Sequence, residues 1–224
     1  QMVQRSHYLV LWSRLGTYDL EDFHRLAYRD GVRRLFEYWG HAASFIPLTD
    51  YRYQMPQMAH FREHPGRWWD KWLQKPENTQ MLEAVRARIQ EEGPLRAADF
   101  AYDGPRRDSW WDWKPAKRAL EYLFATGDVM VADRVNFQRV YDLRERVLPD
   151  WVDTDPATSE EMKRYYVEGA VRALGVCRPA QAAEYAYMKR GSANPIVQKL
   201  IEERIAVKVK GELTDGQAHT LIVH

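Results

Sequence analysis

A single cysteine occurs among 224 residues. Cys177 alone excludes an internal disulfide and a cysteine-built zinc site. An excess of either charge is missing too, since 33 Lys+Arg against 32 Asp+Glu leave a formal net charge of +1. That balance excludes a histone-like or tail-like nucleic-acid binder and leaves room for a local basic face. No apolar run approaches the ~20 residues of a membrane span, and Arg5, Ser6 and His7 interrupt any apolar leader at the start. The expectation is a soluble, cytosolic protein. Metal ligands are equally sparse: His60 and His64 stand one helical turn apart, without a recognisable third ligand.

What the chain does have is a core-forming composition, 45% hydrophobic and 29% charged, which separates it from disordered sequences. It also has nine tryptophans and 13 tyrosines. The tryptophans cluster as Trp68, Trp69, Trp72 and as Trp110, Trp111, Trp113.

Periodicity organises the sequence. Met81, Leu82, Val85 and Ile89 predict an amphipathic helix over residues 79–92, closed by Gly93-Pro94. A short helix is predicted over 96–100, then a loop at 104–107. A third helix follows, with Asp112 as N-cap and Pro115 in the first turn. Ala116, Ala119, Leu120, Leu123 and Phe124 form its buried stripe, and Gly127 ends it. Two strand-like runs, 129–132 and 137–143, flank a turn at 134–136. Helix, short helix, helix and hairpin make the winged-helix order.

The order then recurs. Thr158-Ser159-Glu160-Glu161 is a capping box opening a helix to Leu174. A second helix is predicted over 179–190 and a third from the Asn194-Pro195 pair. Strands at 205–210 and 220–223 follow. The first 60 residues supply helices at 8–14 and 20–28 and strands at 35–38 and 44–48, the tail of a further such unit, with 68–76 as a linker. The predicted fold is mainly α with small β-wings: tandem winged-helix domains, each a helix-turn-helix plus β-hairpin. The expected boundaries are 1–76 (remainder of a first unit plus linker), 77–151 and 157–224.

Four stretches go beyond element order. They are Arg5-Ser6-His7-Tyr8-Leu9-Val10-Leu11-Trp12-Ser13-Arg14-Leu15-Gly16, Leu35-Phe36-Glu37-Tyr38-Trp39-Gly40-His41-Ala42-Ala43-Ser44-Phe45-Ile46-Pro47, Ser109-Trp110-Trp111-Asp112-Trp113-Lys114-Pro115, and Gly127-Asp128-Val129-Met130-Val131 with Asn136-Phe137-Gln138-Arg139-Val140-Tyr141-Asp142-Leu143. Together they resemble the winged-helix DNA glycosylases of the AlkZ/YcaQ type. The resemblance implies excision of alkylated bases and unhooking of interstrand crosslinks, in double-stranded DNA, by a cofactor-free monomer of the bacterial cytosol or nucleoid. It also implies a catalytic Gln–apolar–Asp or Gln–apolar–Gln element a few residues before Arg5. Gln1 and Gln4 do not have that spacing, so the catalytic element is expected upstream and the chain is expected to be an inactive, truncated fragment. Ala42 stands where many relatives carry Glu.

The implied chemistry is economical. A base alkylated on a ring nitrogen is already cationic and leaves readily. The protein then has to place a water and steady an oxocarbenium-like sugar, which a carboxylate or amide can do. A crosslinked base is tethered to the opposite strand and cannot swing into a closed pocket, so an open basic channel is expected.

Arg106, Arg107, Lys114, Lys117 and Arg118 are five cations around the start of a recognition-type helix. Together with Arg134 and Arg139 on the wing, and Arg5 and Arg14 on the first helix, they form the candidate DNA-contacting set. A solvated surface face is the plain alternative for each of them. The three tryptophans at 110–113 read as packing residues rather than base stackers. His41 is either a hydrogen-bonded turn residue or a catalytic group near the lesion, with Glu37 as its nearest carboxylate. Two other classes stay open: a non-catalytic winged-helix DNA-binding or regulatory protein, and a protein-docking scaffold.

Overall fold

A computed structural model describes residues 6–40, 42–100, 115–214 and 216–224. Chain contacts divide it into two units, Gln1–Asp155 and Pro156–His224. Among the described residues it is rich in helices, with small antiparallel sheets, and no helix is long and apolar enough to cross a membrane.

Unit one opens with α1 (Ser6–Leu15) and α2 (Leu20–Tyr28). Asp19 caps α2 by accepting from the Glu21 amide at 2.9 Å, the orphan-donor solution expected of an aspartate in that place. A hairpin follows, β1 (Leu35–Trp39) against β2 (Ala43–Pro47), with Phe36 opposite Ile46 and Glu37 opposite Phe45. Three helices come next: α3 (Tyr51–Glu63), α4 (Arg67–Leu73) and α5 (Pro76–Glu92). A two-residue strand β3 (Leu95–Arg96) leads into a 3-10 turn. Then come α6 (Pro115–Ala125), strands β4 (Val129–Val135) and β5 (Gln138–Leu143), and the short α7 (Arg144–Val147).

α6 behaves as its periodicity predicts. Ala116, Ala119, Leu120, Leu123 and Phe124 are all buried. Gly127 ends the helix in a left-handed conformation (φ 76°). Its amide donates to the Phe124 carbonyl, and the Asp128 amide donates to that of Leu123, a paired closure that satisfies the last carbonyls. A side chain at 127 would also collide with Met58, whose sulfur lies 2.6 Å from the position of a Cβ.

One hydrophobic cluster runs through unit one, joining Phe36, Leu48 and Tyr51 to Val85, Ile89, Leu120, Phe124, Val129 and Leu143. Two polar ties cross it. Arg33, 2% exposed, donates to the carbonyls of Tyr28, Val131 and Ala132 at 3.0, 3.1 and 2.7 Å. The register between β4 and β5 slips between Val131 and Asp133, at the stretch whose carbonyls Arg33 takes. Tyr38 donates its hydroxyl to the Ala125 carbonyl at 2.6 Å, at the end of α6. The Arg33 bonds through Nη1 and Nη2 offset the burial of its guanidinium, while Arg33 Nε is buried with no hydrogen-bond partner among the described residues.

Unit two comprises α8 (Ser159–Leu174), β6 (Val176–Cys177), α9 (Pro179–Tyr185), α10 (Arg190–Glu202), β7 (Val207–Glu212) and β8 (Ala218–Val223). The Thr158 capping box is formed: the Glu161 amide donates to Thr158 Oγ1, and the Thr158 amide donates to the Glu161 carboxylate. Its core is built from small side chains, Ala170, Ala182, Ala183 and Ala193 beside Val167, Val171, Leu200 and Ile222. Both units carry a three-stranded sheet with the same strand order, first-third-second: β3-β5-β4 and β6-β8-β7.

Three local expectations are corrected and a fourth is narrowed. Within residues 96–100 the helix is a short 3-10 turn, Ala97–Asp99, because Leu95 and Arg96 pair with Tyr141 and Val140 of β5. The Asp99 carboxylate accepts from the Arg96 amide at 2.8 Å and so caps that turn. The predicted linker 68–76 contains α4, whose Trp72 is buried. The turn between β4 and β5 is Asn136–Phe137 rather than 134–136, because the paired strands extend to Val135 and Gln138. α10 starts at Arg190, so Pro195 lies inside a helix instead of opening one.

Candidate DNA-facing cleft

The site assembles where β1 meets the β4–β5 wing. Glu37 sits on β1 between Phe36 and Tyr38, and its side chain is 4% exposed. It accepts from the Tyr28 hydroxyl at 2.8 Å, from Arg134 Nε at 2.6 Å and Nη2, and from Arg139 Nε at 3.3 Å. Arg134 and Arg139 are directly opposed across the wing. Two like charges so placed repel, and the Glu37 carboxylate lies on both. Arg139 also reaches Glu121 of α6 at 3.3 Å, a carboxylate that accepts from the Tyr141 hydroxyl as well. Its guanidinium lies 4.6 Å from the Phe124 ring centre and 5.7 Å from that of Trp39.

Burial pushes the Glu37 carboxyl upward, but the hydrogen bonds and charge of Arg134, with Arg139 and Tyr28 behind them, outweigh it and hold the group below the usual carboxylate range. Tyr28 and Tyr141 are raised, first by burial and then by the carboxylates beside them. At neutral pH the knot is therefore a carboxylate flanked by two fixed cations and neutral phenols. Glu37 is an anchor and a fixed charge, not a proton donor.

Three recesses lie around this knot. A cleft of about 440 Å³ is lined by Lys117, Glu121, Arg134, Phe137, Arg139 and Tyr141, among others. A smaller recess of about 160 Å³ is lined by Ser6, His7, Glu37, Ser44, Phe45 and Arg134. Arg134 borders both. The third, about 500 Å³, is aromatic, with Tyr38, Trp39, Phe61 and Trp69 beside His60 and His64, and it shares Glu121 with the first. The His60 and His64 rings stand 5.1 Å apart; among the described residues no group of three metal-ligating side chains occurs.

The candidate residues distribute as follows. Arg5, His41, Arg106, Arg107 and Lys114 lie outside the described residues. Arg14 is exposed in the last turn of α1. Lys117 and Arg118 are half-buried in the first turn of α6. Lys117 lines the larger cleft, and the Arg118 guanidinium lies 5.6 Å from the Trp68 ring centre. Arg134 and Arg139 are only 11% and 12% exposed, and both are engaged with Glu37. Sequence reasoning missed Tyr28, Glu121 and Tyr141 as parts of the site.

Residues 1–223 match a family described as DNA glycosylase AlkZ-like. The chain belongs to the AlkZ-like DNA glycosylase family. Membership makes DNA its partner and base excision its general class of chemistry. No solved structure matches the chain. In this AlkZ-like protein two of the motif-bearing stretches, Leu35–Trp39 and Gln138–Leu143, converge on the Glu37 knot.

Proposed function

We propose that this protein hydrolyses the N-glycosidic bond of an alkylated or crosslinked purine in duplex DNA, with the sugar approaching the recess lined by Ser6, His7, Glu37 and Arg134. The observation that carries the reading is the Glu37–Arg134–Arg139 knot. It opens on one side to the wing cleft and on the other to Ser6 and His7, the residues that follow the position where the resemblance puts the water-positioning Gln–apolar–Asp or Gln–apolar–Gln pair. Glu37 is spent on Arg134 and Arg139, so on this reading the knot shapes the recess, and steadying the positive charge that develops on the sugar falls to the water-positioning pair. The departing base carries its own positive charge and needs no strong acid. The recesses are open rather than enclosed, as a tethered, crosslinked base requires.

Element order and matching strand order support reading residues 77–151 and 157–224 as winged helices, with 1–76 as the remainder of a first. On this reading Lys117, Arg118 and Arg14 meet phosphates, whereas Arg134 and Arg139 organise the cleft. The test is single-turnover release of base from duplexes carrying N7-methylguanine or an interstrand crosslink, using the full-length protein. Release of the base, leaving an abasic site, is the expected result. Duplex binding with release from neither substrate would favour a non-catalytic DNA-binding protein and refute the proposal.

A further inference from the structure

The tip of the β4–β5 wing is two residues long, and both are left-handed: Asn136 at φ 47° and Phe137 at φ 66°. Strands flank it at once, with Val135 paired to Gln138. A two-residue hairpin of this hand takes Asn well in its first place and favours Gly in its second. A phenylalanine there brings its Cβ against the backbone and is a steric outlier. Phe137 is 49% exposed. Val135 beside it is 40% exposed, so the tip is apolar as well as strained.

The tip is also held. Arg134 Nη1 donates to the Phe137 carbonyl at 2.8 Å, while the same guanidinium is fixed on Glu37 of β1 through Nε and Nη2. The ring therefore stands on a braced hairpin, at the lip of the cleft that Lys117 and Arg139 share. Persistent strain at a braced, solvent-facing position points to use. An apolar side chain carried on a rigid projection beside a DNA site matches the side chains that enter a base step and part its stack.

We propose that Phe137 is a wedge that inserts into the base stack of duplex DNA next to the lesion and holds one step open. This rests on the reading that duplex DNA occupies the cleft. The test uses the full-length protein and duplexes with 2-aminopurine beside N7-methylguanine. Binding of the wild-type protein is expected to raise 2-aminopurine fluorescence as the step unstacks.

Phe137→Gly is the informative variant, because glycine adopts the tip conformation freely and folding should be as stable as before or more so. At saturating protein it should abolish the fluorescence rise and slow excision roughly 10–100-fold, the rate equivalent of the few kcal/mol of unstacking that the wedge no longer offsets, with thermal stability kept. Phe137→Leu should keep most of the rise. A full rise with Phe137→Gly, or no rise when the wild-type protein binds, overturns the wedge. The two proposals fail separately. A rise without base release keeps the wedge and sinks the excision reading. Base release without a rise does the reverse.

Discussion

Replacing Glu37 by glutamine tests the central knot. Glutamine keeps the size but removes the charge, and its amide nitrogen turns donors toward the donors of Arg134, Arg139 and Tyr28. Arg134 and Arg139 are then left opposed across the wing at 11% and 12% exposure, with Glu121 still serving Arg139. Removing one partner of a buried pair costs ~3–5 kcal/mol, because the remaining charge is stranded. For a body of this size that corresponds to a fall in melting temperature of roughly 6–20 °C.

All nine tryptophans precede Pro156. Intrinsic tryptophan fluorescence therefore follows the unfolding of unit one alone. The pH dependence supplies a second reading. The Glu37 carboxyl lies below its ordinary value in the folded protein, so its contribution is complete above the ordinary carboxylate range and disappears as pH falls through that range toward the folded value. Wild-type unit one should therefore lose stability in acid more steeply than Glu37→Gln does. A Glu37→Gln transition within about 0.5 kcal/mol of wild type, with the same acid slope, would refute the account of the knot.

Three further outcomes follow from the packing and the charges. Gly127→Ala should destabilise unit one by ~1–3 kcal/mol, through left-handed strain and the clash with Met58, read as a lower urea midpoint in tryptophan fluorescence. Thr158→Ala should cost unit two ~1 kcal/mol by removing the α8 cap, visible in far-ultraviolet circular dichroism with the tryptophan transition unmoved. Lys117→Ala with Arg118→Ala should lower the slope of log affinity against log salt by ~0.9 for each phosphate that is no longer neutralised; an unchanged slope and affinity would remove both from the interface.

How much of this was legible in the sequence depended on how local the determinants are. α2, the β1–β2 hairpin and the buried stripe of α6 follow from spacing and from Asp19 and Gly127, which act on their own neighbours. α3 was missed because Pro56 interrupts it and its apolar residues follow no clear stripe. α4 hid inside the tryptophan clump that read as a linker. The division at residue 76 follows element order and the tryptophan run; the hydrophobic cluster that joins Phe36 and Tyr51 to Leu120 and Leu143 spans a range that no local spacing announces. The site was harder still. Glu37 was noticed only as a possible neighbour of His41, while its partners Arg134 and Arg139 are 97 and 102 positions away. No local signal announces a pairing of that range, and the two arginines read as free wing cations for the same reason.

The grip of Arg33 on β4 bears on synthesis. Its acceptors at Val131 and Ala132 are 98 and 99 positions later in the chain. At ~5–20 residues per second, a ribosome needs roughly 5–20 s to deliver them after Arg33 has emerged. During that interval Phe36, Leu48 and Tyr51, all buried in the end, lack the elements that cover them. The nascent chain thus passes through an apolar, adhesive stage of several seconds, long enough for a holding chaperone to bind, and closes only once the wing strand has left the exit tunnel.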